Sequence, residues 1–258
     1  MTTWPGRSLA FAILLVPLVW LLGAIVIYAV RAHVLGNAPV DQDQARRGSS
    51  ALLGSTVRQA FAWCMTPVER WFLASGVSPD FITLTGFVIC ASGAVLVGMG
   101  DLTVGGLAVL ESAGFDYMDG RIARRRAIVS RAGEFLDSTL DRYSDAFCFA
   151  GAAFLFRHEA WHLVAALVAF GASGVVPYAR AKAAALSVDL RSGLMQRPER
   201  VVLLSAAAIF SAPLDTLWPA SMQAGHPTFA TMVWFLAVAT AWTAVARTRE
   251  GLRQLRAG

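Results

Sequence analysis

Charged residues are scarce in this chain, and lysine is nearly absent. Asp, Glu, Lys and Arg make up 15% of the 258 residues, whereas soluble domains carry about 25%. Lys182 is the only lysine, so arginine supplies nearly all of the positive charge behind the net charge of +5. This composition argues against a soluble domain. An arginine excess in so apolar a chain is typical of cytoplasmic loops beside anionic lipid, so we expect membrane lipid and no nucleic acid as a partner.

Cysteine is also scarce. The chain has three, Cys64, Cys90 and Cys148, and their spacing matches no metal-ligand pattern. Two of them lie in apolar segments. We therefore predict small buried residues rather than a disulfide.

Long apolar runs are what the sequence has in abundance, and hydrophobic residues make up 56% of it. The first run, from about Leu9 to Val30, is long enough to cross a bilayer as a helix. A signal peptide is the alternative, but the run is too long for a signal-peptide core and has no clear cleavage site. We predict a transmembrane helix, followed by a polar linker over residues 31–56.

Residues 56–74 place apolar side chains at helical spacing, interrupted by Arg58, Glu69 and Arg70. This pattern predicts an amphipathic helix in the membrane interface. A short soluble helix packed under a helical bundle fits the pattern equally.

Six further hydrophobic segments follow, at about 80–99, 102–126, 132–156, 160–186, 199–217 and 228–247. They lack strand-like alternation, which excludes a transmembrane barrel. The stretches 121–131, 180–200 and 247–256 are rich in arginine, and the positive-inside rule assigns them to the cytoplasm. The predicted fold is an all-α integral membrane protein, in which a six-helix transmembrane bundle is joined by an extra N-terminal transmembrane helix and the interfacial helix.

Four aspartates interrupt two of these segments. Asp116 and Asp119 are three residues apart on one predicted helix, and Asp137 and Asp141 are four apart on the next. Each pair therefore shares a helix face. The short turn between the helices predicts antiparallel neighbours whose carboxylates converge near the cytoplasmic end.

A carboxylate at the centre of a membrane costs about 2.5–3.5 kcal/mol, and four together repel each other unless a cation lies between them. Hard oxygen ligands favour Mg²⁺, Mn²⁺ or Ca²⁺ over zinc. Two such ions can clamp the attacking and leaving oxygens of a phosphoryl-group displacement. The alternative is that the acids pair with Arg121, Arg124 and Arg142 or form a solvated helix end. Four acids on two facing helices favour the metal site.

Glycines accompany the aspartates. Gly120 follows Asp119, and Gly133 lies one turn before Asp137. Each removes a side chain where a ligand can approach the backbone, although membrane helices also use glycine for packing. Arg124, one turn beyond Gly120, can offer a guanidinium fork to a phosphate.

Together these residues resemble the CDP-alcohol phosphotransferase family, whose pattern is D-x2-D-G-x2-A-R-x8-G-x3-D-x3-D. Every position is met, by Asp116, Asp119, Gly120, Ala123, Arg124, Gly133, Asp137 and Asp141. The resemblance covers about residues 75–248, with the family's six-helix count. The first helix and the linker lie outside it. We therefore divide the chain into an N-terminal transmembrane helix and linker over 1–55 and a CDP-alcohol phosphotransferase domain over 56–258, in which the interfacial helix is 56–75 and six transmembrane helices span about 79–248.

The resemblance implies an enzyme and the roles of its residues. The four aspartates would hold two divalent ions, Mg²⁺ or Mn²⁺, against the pyrophosphate of CDP-diacylglycerol. Asp141 would also deprotonate an alcohol acceptor, whose attack on the lipid-side phosphorus would release CMP. Gly120, Arg124 and Gly133 would help to seat the nucleotide. Thr83 is added to that set because Pro79-Asp80-Phe81-Ile82-Thr83 stands where the family often has Pro-Asn-x-x-Thr.

A second resemblance concerns the acceptor. The stretch from Tyr178 to Val201 is similar to the Y-x-K-A-R-A-E … G-x-x-E-R-x-E-R segment of phosphatidylinositol-phosphate synthases and their archaeal relatives. Basic residues there bind the phosphate of an inositol phosphate, and the matching positions are Arg180, Lys182, Arg197 and Arg200. Ala184 and Gln196 stand where those relatives have Glu. The alternative is that these basic residues only obey the positive-inside rule.

Two other classes of function fit the sequence less well than a transferase. A divalent-cation transporter also places acids inside a helical bundle, but it would favour broken helices and inverted repeats, which the sequence lacks. A catalytically dead scaffold would have lost motif residues, and none is missing. Glycerol phosphate is the alternative acceptor. We expect a homodimer in the inner, cytoplasmic membrane with its active site facing the cytoplasm; Glu111 belongs to no motif.

Overall fold

A computed structural model of the chain describes residues 6–36, 38–41, 54–190 and 195–257, and within these ranges the regular structure is helical, with no strand. Ten helices follow one another in these ranges: α1 Arg7–His33, α2 Gly54–Cys64, α3 Thr66–Ser75, α4 Pro79–Gly98, α5 Leu102–Arg125, α6 Arg131–Leu155, α7 Ala160–Ala185, α8 Arg197–Asp215, α9 Ala220–Gln223 and α10 Pro227–Ala257. The all-α prediction is confirmed. The long helices begin and end within a few residues of the predicted segments, except that α10 continues beyond residue 247.

In the part of the chain that the structure describes, four helices are long and apolar enough to cross a membrane, namely α1, α4, α7 and α10. The chain is therefore a helical membrane protein. The long helices α5, α6 and α8 do not reach that apolar threshold, because they carry the charged residues singled out above.

The helices α4 to α8 and α10 enclose one apolar core, which is built largely from alanine, valine, leucine and phenylalanine side chains. Local sequence fixes the ends of its helices. The Ser78 hydroxyl accepts a hydrogen bond from the amide of Phe81 at the start of α4, and Pro79 occupies the first turn, where no amide partner is needed. Beyond the end of α4, Gly100 adopts a φ of +91°, which turns the chain into α5.

The expectation that α5 and α6 pack side by side is wrong. Each packs along α4, and the two have little direct contact with each other. Small residues allow the close approach of α4 to its neighbours: a side chain at Gly93 would collide with the carbonyl oxygen of Gly105, and one at Gly98 would crowd that of Gly151. The polar faces of α5 and α6 therefore border a gap that α4 backs and that α8 partly fills.

The N-terminal helix α1 is tied to the bundle at its start, and its end is bonded to the segment that follows it. The Arg7 guanidinium donates to both carboxylate oxygens of buried Asp101, at 2.7 and 3.1 Å, in the turn between α4 and α5. Near the other end, the Tyr28 hydroxyl donates to the carbonyl of Pro39 at 2.9 Å. Residues 42–53 of the predicted linker lie outside the described residues.

The single amphipathic helix predicted over 56–75 is instead two helices, α2 and α3, which meet at Met65. Pro67 near the start of α3 lacks the amide hydrogen that would continue α2. One face of α3 packs Phe72 against Ile82 of α4 and Ile122 of α5. Its Glu69 is buried and binds Arg121 of α5 at 2.7 Å, so this helix is docked on the bundle beneath the predicted site.

Candidate metal and transfer site

Three aspartates meet where α5 and α6 approach each other. Carboxylate oxygens of Asp116, Asp119 and Asp137 all lie within 4.8 Å of one another. Asp119 is buried, and the other two are half-buried. The spacing of three residues on α5 turns its two carboxylates to one side. At the start of α6, the Ser130 hydroxyl accepts a hydrogen bond from the amide of Gly133. The first turn of α6 brings Asp137 towards the two carboxylates of α5.

The fourth aspartate, Asp141, lies one turn further along α6 and is bridged to Asp116 by an arginine of α8. One nitrogen of Arg197, Nη1, is 2.7 Å from Asp116 Oδ2 and 2.7 Å from Asp141 Oδ1. A small cavity opens beside this bridge, and Thr83 and Ser144 also line it. Helices α4, α5, α6 and α8 thus all contribute to the site.

A second acid–base pair lies deeper. The Arg200 guanidinium binds Asp145 Oδ2 and the carbonyl of Met195, and both side chains are almost fully buried. The other oxygen of Asp145 is 3.9 Å from Nε of Arg197. Asp145 therefore faces two arginines of the stretch that resembles an acceptor-binding segment.

The residues predicted to seat a nucleotide lie around the carboxylates. The Thr83 hydroxyl of α4 is 2.6 Å from Asp119 Oδ2. The Arg124 side chain folds back over Gly120, so that an added Cβ there would lie 3.2 Å from its Nη1. An added Cβ at Gly133 would lie 3.4 Å from Oδ1 of Asp80 at the start of α4. The structure thus brings the starts of α4 and α6 together with the end of α5.

The four predicted acceptor residues lie at different depths in the structure. Arg197 contacts the carboxylates and Arg200 is buried beside them. Arg180 and Lys182 are exposed on the last turns of α7.

The alternative to a metal site paired the acids with neighbouring arginines, and it fails for Arg121. Arg121 points away from the aspartates and binds Glu69 and Asp41 instead, at 2.7 and 2.8 Å. Arg142 contacts Asp141 only at 3.4 Å. The short bonds come from Arg197, and it and Asp116 are separated by 81 residues, so no local spacing could have found the pair. Glu111 lies deeper on α5, with its buried Oε1 unbonded in the described part of the chain.

The donor set fits a hard divalent cation. The three convergent ligands are carboxylates from two helices, which suits Mg²⁺ or Mn²⁺, and no thiol or imidazole belongs to the group. A cation there would also offset the repulsion among the clustered acids. The fold and the site together define an integral membrane enzyme with a carboxylate centre for divalent metal.

Comparison with known proteins names the family. The sequence profile of the CDP-alcohol phosphatidyltransferase family matches residues 76–247. The chain belongs to that family and is a transferase. The predicted family membership, and the divalent metal that it implies, are confirmed.

Individual relatives agree. The chain is 36% identical over 199 residues to the phosphatidylinositol phosphate synthase of Mycobacteroides abscessus, a match that covers 75% of this chain and 86% of the relative. Two crystal structures of the phosphatidylinositol phosphate synthase of Mycobacterium tuberculosis are similar, each at 32% identity. The one with CDP-DAG bound has a TM-score of 0.64 and covers 72% of this chain and 92% of its own. The one with manganese and citrate has a TM-score of 0.65 and covers 73% and 88%.

Proposed function

We propose that this protein transfers the phosphatidyl group of CDP-diacylglycerol to a phosphorylated polyol and releases CMP, in phospholipid synthesis. Inositol phosphate is the first candidate acceptor and glycerol phosphate the second. The observation that carries the proposal is the convergence of Asp116, Asp119 and Asp137 beside Asp141 and Arg197. Relatives that share the fold are phosphatidylinositol phosphate synthases, and one of them binds CDP-DAG.

The four aspartates divide the work. Asp116, Asp119, Asp137 and Asp141 would hold two Mg²⁺ or Mn²⁺ ions, whose positive charge would stabilise the developing charge on the pyrophosphate. Asp141 accepts the proton of the acceptor hydroxyl. The freed oxygen forms a bond to the lipid-side phosphorus, the bond from that phosphorus to the CMP oxygen breaks, and CMP leaves as an anion. The carboxylic acid formed at Asp141 returns its proton to solvent through the cavity beside it.

Binding roles follow from position. Arg124, folded over Gly120, offers a guanidinium to a phosphate of the nucleotide. Thr83 holds Asp119 in place at the edge of the same region. Gly133 leaves room between the starts of α4 and α6, where a nucleotide can approach the backbone.

The acceptor site is assigned to Arg180, Lys182, Arg197 and Arg200. Arginine binds phosphate through two parallel hydrogen bonds, so a cationic mouth favours a substrate that carries its own phosphate over a neutral polyol. Exposed Arg180 and Lys182 make the first contact, and Arg197 lies next to the base.

We also propose the arrangement in the membrane. Helices α1, α4 to α8 and α10 all cross the bilayer, with the arginine-rich turns in the cytoplasm and the N-terminus outside. Helices α2 and α3 lie at the cytoplasmic interface. Residues 1–55 are an accessory anchor, residues 56–258 are the catalytic domain, and the working unit is a homodimer in the inner membrane.

The direct test is turnover. Purified protein in lipid nanodiscs is incubated with CDP-diacylglycerol, Mg²⁺ and a panel of alcohols that includes inositol, inositol phosphate and glycerol phosphate. We expect CMP release that requires the metal and is fastest with inositol phosphate. Equal rates with inositol and inositol phosphate would refute the acceptor, and no CMP release with any alcohol would refute the reaction.

A further inference from the structure

The bonds from Arg197 to two of the four aspartates compete with the binding of metal ions. Its Nη1 touches both Asp116 and Asp141 at 2.7 Å, and only 17% of its side chain is exposed. Arg197 is thus a largely desolvated cation that is positioned among the acids proposed to hold the metal ions.

The same oxygens cannot serve both cations fully. Divalent Mg²⁺ binds carboxylate oxygens at about 2.0–2.1 Å, whereas the guanidinium already bonds Asp116 Oδ2 and Asp141 Oδ1. If one ion binds among Asp116, Asp119 and Asp137, Asp141 can keep its bond to Arg197. A second ion that uses Asp141 must displace the guanidinium, because two cations repel at that distance.

The displaced guanidinium has a place to go. Asp145 Oδ1 is already 3.9 Å from Nε of Arg197, and this Nε has no hydrogen-bond partner among the described residues. Asp145 also neutralises Arg200. Two arginines on one carboxylate would leave one positive charge over, which an anionic group on the acceptor can neutralise.

We propose that Arg197 stands in for the second metal ion. Before that ion binds, the Arg197 guanidinium lies between Asp116 and Asp141; when the ion binds, the guanidinium moves towards Asp145 and the acceptor. This inference rests on the proposed function, because it assigns to Arg197 the task of coupling metal loading to acceptor binding. The protein thereby completes its acceptor site only after its metal centre is loaded.

The test is metal binding, which does not depend on turnover. Free Mn²⁺ is measured by electron paramagnetic resonance while the purified full chain is titrated without either substrate. We expect two binding steps in the wild type. In Arg197→Gln the second step should tighten by roughly ten- to a hundredfold, since the competing charge-assisted bonds are gone.

Two further variants keep the result interpretable. Arg142→Gln removes an arginine that is 3.4 Å from Asp141 but bonds no second aspartate, and it should shift the second step less than about threefold. An equal shift in this control would mean that only general electrostatics is at work and would overturn the proposal. Should Arg197→Gln fail to fold, Arg197→Lys keeps the charge with one donor group in place of the fork, and about tenfold tighter binding is expected.

Acceptor binding supplies the second readout. Isothermal titration with inositol phosphate should give tighter binding to the Mn²⁺-saturated wild type than to the metal-free protein, and the gain should shrink at least tenfold in Arg197→Gln. An unchanged second Mn²⁺ step in both Arg197 variants overturns the stand-in role even if CMP is released normally. A tightened second step without any CMP release would keep that role and refute the proposed reaction instead.

Discussion

Asp141 is the residue on which proton transfer depends in the proposed reaction. Asp141→Asn keeps the shape of the side chain and an oxygen for Arg197, but it loses the ability to take a proton. We expect CMP release to fall by about 10²–10⁴-fold, while binding of CDP-diacylglycerol, measured by titration, survives. Near-normal turnover would transfer the role of base to another group, and Asp145 is the nearest candidate, although it is buried against Arg200.

Thr83 contacts the proposed metal site through one hydroxyl. Thr83→Val removes the 2.6 Å bond to Asp119 and should weaken Mn²⁺ binding by roughly 10–100-fold, as is typical when a ligand loses its supporting partner. Thr85→Val is the matched control on the same helix, because among the described residues the Thr85 hydroxyl bonds only the carbonyl of Phe81. A similar loss of Mn²⁺ affinity in both variants would mean that Thr83 does not hold Asp119 in a special way.

Arg180 and Lys182 test the acceptor assignment better than Arg200, whose removal would leave buried Asp145 short of its partner. Arg180→Gln and Lys182→Gln should each raise the KM for inositol phosphate by up to roughly 10–150-fold and leave the KM for CDP-diacylglycerol unchanged. Arg124→Ala should do the reverse. Arg253→Gln removes an exposed cation from α10 and is the control. An equal effect on the KM in this control would mean that the predicted acceptor residues only set the orientation of the chain in the membrane.

The sequence predicted this site as far as local spacing reaches. Helical periodicity put Asp116 beside Asp119 and Asp137 near Asp141, and the motif joined the two pairs. The partners from other helices could not be predicted, because the contacts of Thr83 with Asp119 and of Arg197 with Asp116 depend on how α4 and α8 pack against α5. The same limit applies to Arg121: its partner Glu69 is 52 residues away, so the sequence could not show that Arg121 turns from the aspartates.

At the scale of helices, α3 and α5 are joined by a buried charge network. Glu69 is 4% exposed and accepts bonds from Arg121 at 2.7 Å and Arg125 at 2.9 Å. Arg121 directly follows Gly120 of the motif, so this network fixes the end of α5 that carries the proposed metal-binding residues.

Breaking the network at its buried residues should lower the free energy of unfolding much more than breaking it at its exposed residue. Glu69→Ala leaves buried Arg121 without its main partner and should destabilise the fold by about 3–5 kcal/mol, which lowers Tm by roughly 6–20 °C. Arg125→Ala, at a side chain that is 63% exposed, should cost at most about 1 kcal/mol. Thermal unfolding in detergent measures both, and equal losses would show that the burial of Arg121 does not matter.

The pattern of apolar runs was sufficient to place the long helices, because apolar side chains continue along the whole length of each helix. It was not sufficient for their packing. A short turn suggested that α5 and α6 are neighbours, yet small residues at Gly93 and Gly98 let α4 pack along both instead. The break between α2 and α3 at Met65 also escaped the periodicity, since both halves continue the same amphipathic pattern.

At the scale of the whole molecule, the orientation in the membrane is open to a direct test. Ile128→Cys lies in the arginine-rich turn between α5 and α6, and Met99→Cys lies at the opposite end of α5; both positions are exposed. A membrane-impermeant maleimide should label residue 128 only in inverted vesicles and residue 99 only in right-side-out vesicles. Labelling of residue 128 from outside would move the site away from the cytosol.

The native cysteines should not interfere with this experiment. All three thiols are buried, and burial raises the pKa of Cys64 in α2 to about 11. Since maleimides react with the thiolate, Cys64 should stay unlabelled at neutral pH. The wild-type protein therefore serves as the blank in both kinds of vesicle.

The gap between α5 and α6 has a consequence for how rates depend on the lipid. Tyr143 on α6 is more than half exposed and contacts the ring of Phe87, which lines the cavity there, so it would face acyl chains. A lipid substrate would then arrive sideways, by two-dimensional diffusion within the bilayer, rather than from water. Its effective concentration is its mole fraction in the membrane, so diluting it with inert lipid should slow the reaction even when the bulk molarity is unchanged.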